Sequence, residues 1–467
     1  MAGIDLILMA EGDRIIQRPA RFTARRVFLP LAWVFGALFI LITPPFQVPD
    51  EYLHFYRSYQ VSEGRLTAYR VGTDIGGYLP RSLVELGDRF PSRLQRDPNH
   101  RLHFRDVWSP RSLPLQPRDR TFVVFGAVSW HSPMNYFPQA AAIAIGRCFG
   151  LTPLWLLYCG RCGNLLAWSL LAYFAIRLIP IMDWTLLLLA LTPMSLAQAS
   201  SLSADAMVNG VCFLFVAAAM RCALGSAPAM TPARTIGLAI LGAAVALAKT
   251  AYIPLTILFL LIPSGKFGGR RRYWLVFSLF VLACLATTVG WSLCTYGVQS
   301  YTAPDVSPRL QAIDMLHHPI DTLHRDVGML LSIPYLASII GTLGWADVRL
   351  WWPCAMAYWL MLFATACVGG WPNVRLEARQ RLLLATAAAG CWLLVFTLVY
   401  LTFTPVGARS INGLQGRYLI PATPPLLLMF YPSPRERRFN VGPYVAAFSA
   451  VFSLYALAVL VRRFYIW

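Results

Sequence analysis

FLPLAWVFGALFILITPPFQVPDEYLHFYR, residues 28–57, decides the fold. Residues 28–43 carry no charge and read as a first membrane-spanning helix. Residues 44–57 then switch to prolines, acids, a histidine and an arginine, too polar for hydrocarbon. Apolar runs of roughly 17–25 residues, each able to cross about 30 Å of lipid, recur as far as Leu460. Only 13% of the 467 residues are charged, against about 25% in soluble domains. The chain is therefore expected to be an all-α polytopic membrane protein.

The formal net charge of +19 does not indicate nucleic acid, because the arginines sit in short clusters between apolar runs. Most of the ten cysteines lie within apolar runs or at their ends, and none lies in residues 47–120, so a disulfide framework is not expected. Cys159 and Cys162 form a lone CxxC inside an apolar run and read as buried thiols. More than twenty polar-rich residues precede the first run, unlike a cleavable signal peptide. Arg14, Arg18, Arg21, Arg25 and Arg26 suit a basic lead-in on an anionic cytoplasmic leaflet.

With the N-terminus inside, alternation along the chain predicts about eleven or twelve spans. Residues 1–27 are the cytoplasmic lead-in and 28–432 the transmembrane domain, with outer loops at 44–120, 294–332 and 404–417. Residues 433–467 form a cytoplasmic turn and a last helix, which leaves Arg462 and Arg463 on the outer side. Residues 122–130 and 133–149 are expected as interfacial helices, and 184–200 and 419–430 as single spans. Residues 235–262 need a hairpin, because basic flanks bound them on both sides; Lys249 falls near its outer turn.

This topology sends the polar clusters suited to chemistry to the outer face. Pro49 suits a helix start, and Asp50 and Glu51 in a first turn favour the helix dipole. In a helix, Asp50, His54 and Arg57 share a face. They read either as a capped helix or as a catalytic acid with support. His131 precedes Pro133 in a helix-start turn, and Asp205 follows Ser203 between two spans, where either one can cap. Lys249 inside an apolar stretch costs several kcal/mol unless paired or hydrated, which marks it as a counter-charge for an anion. Arg417, in Gln415-Gly416-Arg417-Tyr418, either snorkels or grips a phosphate.

The segments PPFQVPDEYLHFYR, HSPMNYFPQA, SLSADAMVN, ALAKTAYIPL, IIGTLGW and INGLQGRYLIP, in that order, resemble the bacterial membrane family catalogued as domain of unknown function 2142. One departure is His131-Ser132-Pro133-Met134-Asn135-Tyr136, where that family has His-Pro-Pro-Leu-Tyr-Tyr. The family in turn resembles the C-superfamily (GT-C) glycosyltransferases. That resemblance implies a GT-C-like fold in the bacterial inner membrane, with the active site on the extracytoplasmic face. It implies transfer of a monosaccharide from a polyprenyl-phosphate carrier to a glycan or lipid acceptor, in contact with membrane lipids and without nucleic acid. Asp50 and Asp205 match the superfamily's two loop acids. Asp50, Glu51 and His54 are then the expected catalytic group. Arg57, His131, Asp205, Lys249, Arg409, Gln415, Arg417 and Tyr418 are the expected substrate contacts. Mg²⁺ or Mn²⁺ bound by Asp50, Glu51, Asp205 and His54 is an open expectation. A lipid-linked-glycan flippase and a polysaccharide polymerase or ligase are the competing readings.

Overall fold

The computed structural model describes residues 22–90, 97, 99–298, 305–368, 374–432 and 440–466. Arg14, Arg18 and Arg21 of the expected lead-in, and the expected turn at 433–439, lie outside them.

The chain is mostly helical. Helix α1 (Ala24–Ile42) ends where Thr43 precedes Pro44 and turns extended, as sterics before proline require. Helix α2 (Glu51–Ser62) follows. The first loop is not purely helical. Strands β1 (Tyr69–Val71) and β2 (Asp74–Pro80), helix α3 (Arg81–Arg89) and strand β3 (Arg120–Val124) form a small antiparallel unit in which Tyr78 pairs with Phe122. The interfacial helix expected at 122–130 is thus half strand. Its Thr-Phe-Val-Val run is β-branched and aromatic and finds a partner edge in β2.

After α4 (Phe137–Cys148) and α5 (Pro153–Leu178), the span expected at 184–200 is two short helices, α6 (Asp183–Ala190) and α7 (Pro193–Ala199). Pro193 restarts the helix, and the Thr192 hydroxyl accepts from the Ser195 N–H at 3.2 Å. Helices α8 (Asp205–Leu224) and α9 (Pro232–Ala248) come next, and a 3₁₀ segment over Thr250–Leu261 completes the expected hairpin. Both flanks of that hairpin meet at one end: the Met230 N–H donates to the Lys266 carbonyl at 2.8 Å. Then follow α10 (Arg270–Cys294), α11 (Pro308–His317), α12 (Pro319–Leu330), α13 (Ile333–Gly341), the two-stranded β4 (Thr342–Leu343) and β5 (Val348–Arg349), α14 (Trp352–Val368) and α15 (Ala378–Phe403). The span expected at 419–430 is a 3₁₀ turn (Gly416–Ala422) and α16 (Thr423–Leu428), because Pro421, Pro424 and Pro425 forbid a continuous ladder. Helix α17 (Gly442–Phe464) closes the chain.

Five helices among the described residues are long and apolar enough to cross a membrane: α1, α8, α10, α15 and α17. Helix α9, the 3₁₀ segment and α14 are shorter apolar pieces. Beside the eleven or twelve expected spans, the described residues thus hold five long apolar helices and several shorter or broken apolar pieces. Helix α8 is the axis. It is 89% buried over its apolar window and packs on α5, α9 and both 3₁₀ segments, whereas α10 is 11% buried. Leu275, Leu279, Leu282 and Leu293 of α10 stay exposed, a surface for lipid rather than water.

Candidate functional site

The six segments quoted above meet at one end of α8. The turn before α2 is the most constrained part. Phe46 and Asp50 both have φ of 63°, a left-handed conformation that costs a side-chain-bearing residue of order 1–3 kcal/mol. The surroundings hold that turn. Glu51 is fully buried and takes a bidentate pair from Arg161 of α5, Nε to Oε1 at 2.8 Å and Nη2 to Oε2 at 2.7 Å. Its oxygens also accept the N–H groups of Phe46 at 2.9 Å and Leu202 at 3.2 Å. Arg161 further donates to the carbonyls of Ile40, Thr43 and Pro44, and the Trp345 indole donates to the Phe46 carbonyl at 2.7 Å. Glu51 has no lone pair left for a substrate. Its contacts fix the turn that carries Asp50.

Asp50 occupies the N-cap of α2, but its carboxylate makes no cap hydrogen bond and its side chain is 40% exposed. The capping reading therefore fails for Asp50. Its Oδ2 faces Arg417 Nη2 at 4.0 Å. Arg417 Nε lies 3.1 Å from Asp205 Oδ2, and Lys249 Nζ lies 3.7 Å from Asp205 Oδ1. Charges thus alternate along Asp50, Arg417, Asp205 and Lys249, contributed by four distant segments. The Tyr418 ring underlies Lys249 at 4.0 Å and Arg417 at 5.3 Å. Tyr252 fixes Tyr418 by donating to its carbonyl at 2.7 Å. Arg417 is only 4% exposed, yet its Nη1, and its Nε despite the nearby carboxylate, lack an aligned hydrogen-bond partner among the described residues.

His54 and His131 are brought together by Tyr136, whose hydroxyl lies 2.9 Å from Nδ1 of one and 3.2 Å from Nδ1 of the other. The Tyr136 hydroxyl has one proton to donate and two lone pairs to accept with, so it bonds both rings either by donating to one Nδ1 and accepting from the other or by accepting from both. Burial pushes His54 down to about 4 and His131 down to about 3, and it pushes the Tyr136 hydroxyl well up. The trio is neutral at pH 7. Asn135 of the same turn donates to the Ala248 carbonyl at 2.8 Å and so ties this segment to Lys249.

A narrow cleft opens beside Arg417, lined by Pro49, Gln198, Leu343 and Gln415 among others. Gly416 admits no Cβ there, since one would lie 2.5 Å from the Ile339 nitrogen.

Two expected substrate contacts are elsewhere. Arg57 is buried with its guanidinium on the Gln60 side chain and the Leu66 carbonyl, where it staples the end of α2. It does not share a functional face with Asp50, because Asp50 lies outside the helix. Arg409 is exposed in the turn after α15, and no ion pair joins it to the cluster among the described residues. A divalent cation does not fit the expected donors. Arg161 saturates Glu51, His54 faces Tyr136, and the Arg417 guanidinium already lies between Asp50 and Asp205. Arg161 was absent from the expected site, although a charged residue inside an apolar run is the same signal that singled out Lys249.

No curated protein and no solved structure matches the chain. One family model does, over residues 33–426, which takes in all six segments. The chain belongs to the family described as predicted membrane protein (DUF2142).

Proposed function

We propose that this protein is a glycosyltransferase of the membrane, moving a monosaccharide from a polyprenyl-phosphate carrier to a glycan or lipid acceptor at the extracytoplasmic face. The observation that carries the reading is Asp50: a half-exposed carboxylate in a strained turn, free of any capping duty, facing a buried arginine with unfilled donors.

In that reaction an acceptor hydroxyl oxygen attacks the anomeric carbon. Asp50 takes the hydroxyl proton as the new C–O bond forms, for which general-base catalysis supplies about 10²–10⁴-fold. The bond from the anomeric carbon to the phosphate oxygen breaks with inversion, and its electron pair leaves on the carrier phosphate. Arg417 Nη1 and Lys249 Nζ meet that charge in a water-poor site, where fixed donors act most strongly. Asp205 holds both cations in place, and Tyr418 supports their undersides. The carrier's tail keeps the phosphate near the bilayer, consistent with cations sited at helix ends rather than in free loops.

The test is purified protein given a labelled polyprenyl-phosphate sugar. Asp50→Asn is expected to lower transfer by about 10²–10⁴-fold while the protein still runs as a folded species on gel filtration. Undiminished transfer by the variant removes Asp50 as the base. A second reading, a flippase for lipid-linked glycans, draws on Asn209 of α8, whose side-chain atoms are buried with no hydrogen-bond partner among the described residues. Uptake of the labelled carrier with no covalent product favours it over transfer.

A further inference from the structure

Helices α11 and α12 are built inside out for an aqueous loop. The buried residue of α11 is Gln311, whose side-chain oxygen accepts the Gly407 N–H at 3.1 Å. The buried residue of α12 is Asp326, which pairs with Arg325 at 3.5 Å. The apolar side chains lie on the outside. Leu310, Ile313 and Leu316 of α11 are exposed. So are Ile320, Leu323 and Val327 of α12 and Leu331 at its end, with Ile320 81% exposed. The last four recur at three- and four-residue steps and make one stripe, directed away from Arg325 and Asp326. A helix on the surface of a water-soluble domain shows the reverse order. A contiguous apolar face left bare in this way marks a surface that another phase or molecule covers.

The contacts of these helices set their level along the membrane. Arg325 lies over the Tyr400 ring at 3.6 Å, and Gly407 belongs to the turn that follows α15. Tyr400 stands in the last turn of α15, about 5 Å from the helix end by the rise per residue. Tyr335 of α13 rests against the Phe396 ring at 5.7 Å, about 10 Å from the same end. Helix α15 is itself long and apolar enough to cross a membrane, and its Leu393 and Phe403 are exposed along that span. The stripe therefore lies beside the final turn of a membrane helix. Amphipathic helices settle at this depth, about 5–10 Å into the boundary of headgroups and acyl chains.

We infer that α11 and α12 are embedded in one leaflet of the bilayer, with Ile320, Leu323, Val327 and Leu331 among its acyl chains. Protein already meets the polar side of α12, so lipid covers only the apolar side. Continuity with the exposed face of α15 favours lipid over a second copy of the chain or a soluble partner. The inference does not depend on the proposed transferase activity. It does bear on the site's depth, because α13 follows directly and its Tyr335 hydroxyl donates to the Gln415 carbonyl at 3.4 Å, next to the turn that holds Arg417.

The test uses the full-length protein with its native cysteines replaced, carrying Leu323→Cys, Val327→Cys or, as the reference at an exposed polar position, Arg111→Cys. Each is labelled with bimane and reconstituted in phosphatidylcholine vesicles, after gel filtration has reported folding. At 323 and 327 the emission is expected to be blue-shifted relative to 111, quenched by phosphatidylcholine bearing a nitroxide high on its acyl chain, and shielded from iodide supplied on both sides. Iodide quenching at 323 and 327 as strong as at 111 overturns the proposal. Shielding from both quenchers overturns it as well, and disulfide cross-linking between copies through Leu323→Cys then assigns the stripe to a second copy. Ile320→Cys and Leu316→Cys take the place of any variant that does not fold.

Discussion

Asp50 and Glu51 are adjacent acids with opposite fates, and the difference is one of desolvation. Glu51 lies at 0% exposure in a bidentate pair with Arg161. Removing one partner of such a pair leaves an uncompensated buried charge at about 3–5 kcal/mol. Glu51→Gln and Arg161→Leu are therefore expected to lower the thermal midpoint sharply, whereas Asp50→Asn leaves it nearly unchanged. Scanning fluorimetry of the three variants checks this, and a midpoint for Glu51→Gln equal to that of Asp50→Asn would contradict the assignment. The sequence left the two acids interchangeable, since residue types say nothing about which carboxylate meets a distant arginine. Lys249 was legible because a lone ammonium in an apolar run has few explanations. Arg57 was misread because helical phase was assigned to Asp50, which in fact takes a left-handed φ just before the helix.

At the scale of elements, the histidine turn and the 3₁₀ turn at Gly416 carry the predictions. His54 and His131 titrate near 6.5 when unfolded and lower when buried. The unfolded chain thus binds more protons below about 6.5, and stability falls as pH drops through the window from 6.5 toward 4 and then 3. Above 6.5 these groups contribute no pH dependence. Unfolding of the wild type is expected to become easier below pH 6.5, and His54→Gln should flatten part of that slope. An identical slope in the variant contradicts the prediction. At Gly416 the close approach of Ile339 leaves no room for a side chain. Gly416→Ala is expected to cost about 1–3 kcal/mol by overpacking and to displace Arg417, so that activity falls as well. Retained stability and activity together would show that the contact yields. Proline placement explains where the element reading failed. Pro193, Pro421, Pro424 and Pro425 interrupt runs whose hydropathy reads as continuous, and hydropathy averages do not register a missing backbone N–H.

At the scale of the molecule, the question is which end each terminus and loop occupies. Alternation of spans left Arg462 and Arg463 on the same side as the first loop, against the usual bias of arginine. The fold gives a reason for this. Arg463 pairs with Asp347 at 2.8 Å and donates to the His100 carbonyl at 3.0 Å, while the Leu102 N–H donates to the Phe464 carbonyl at 2.8 Å. Asp347 in turn accepts from the N–H of Trp345, the residue whose indole holds Phe46. The last helix therefore braces the turn that carries Asp50, and the cation spent there is not a topology signal. Ser264 lies at the other end, two residues before Lys266, which donates to the Cys222 and Gly225 carbonyls at the end of α8. In a background with the native cysteines replaced, single cysteines at Arg111 and Ile466 should react with a membrane-impermeant maleimide from one side of the membrane. A cysteine at Ser264 should react only from the other; all three positions are exposed. Labelling of the 264 and 466 positions from the same side would break the continuity between the C-terminal helix and the first loop.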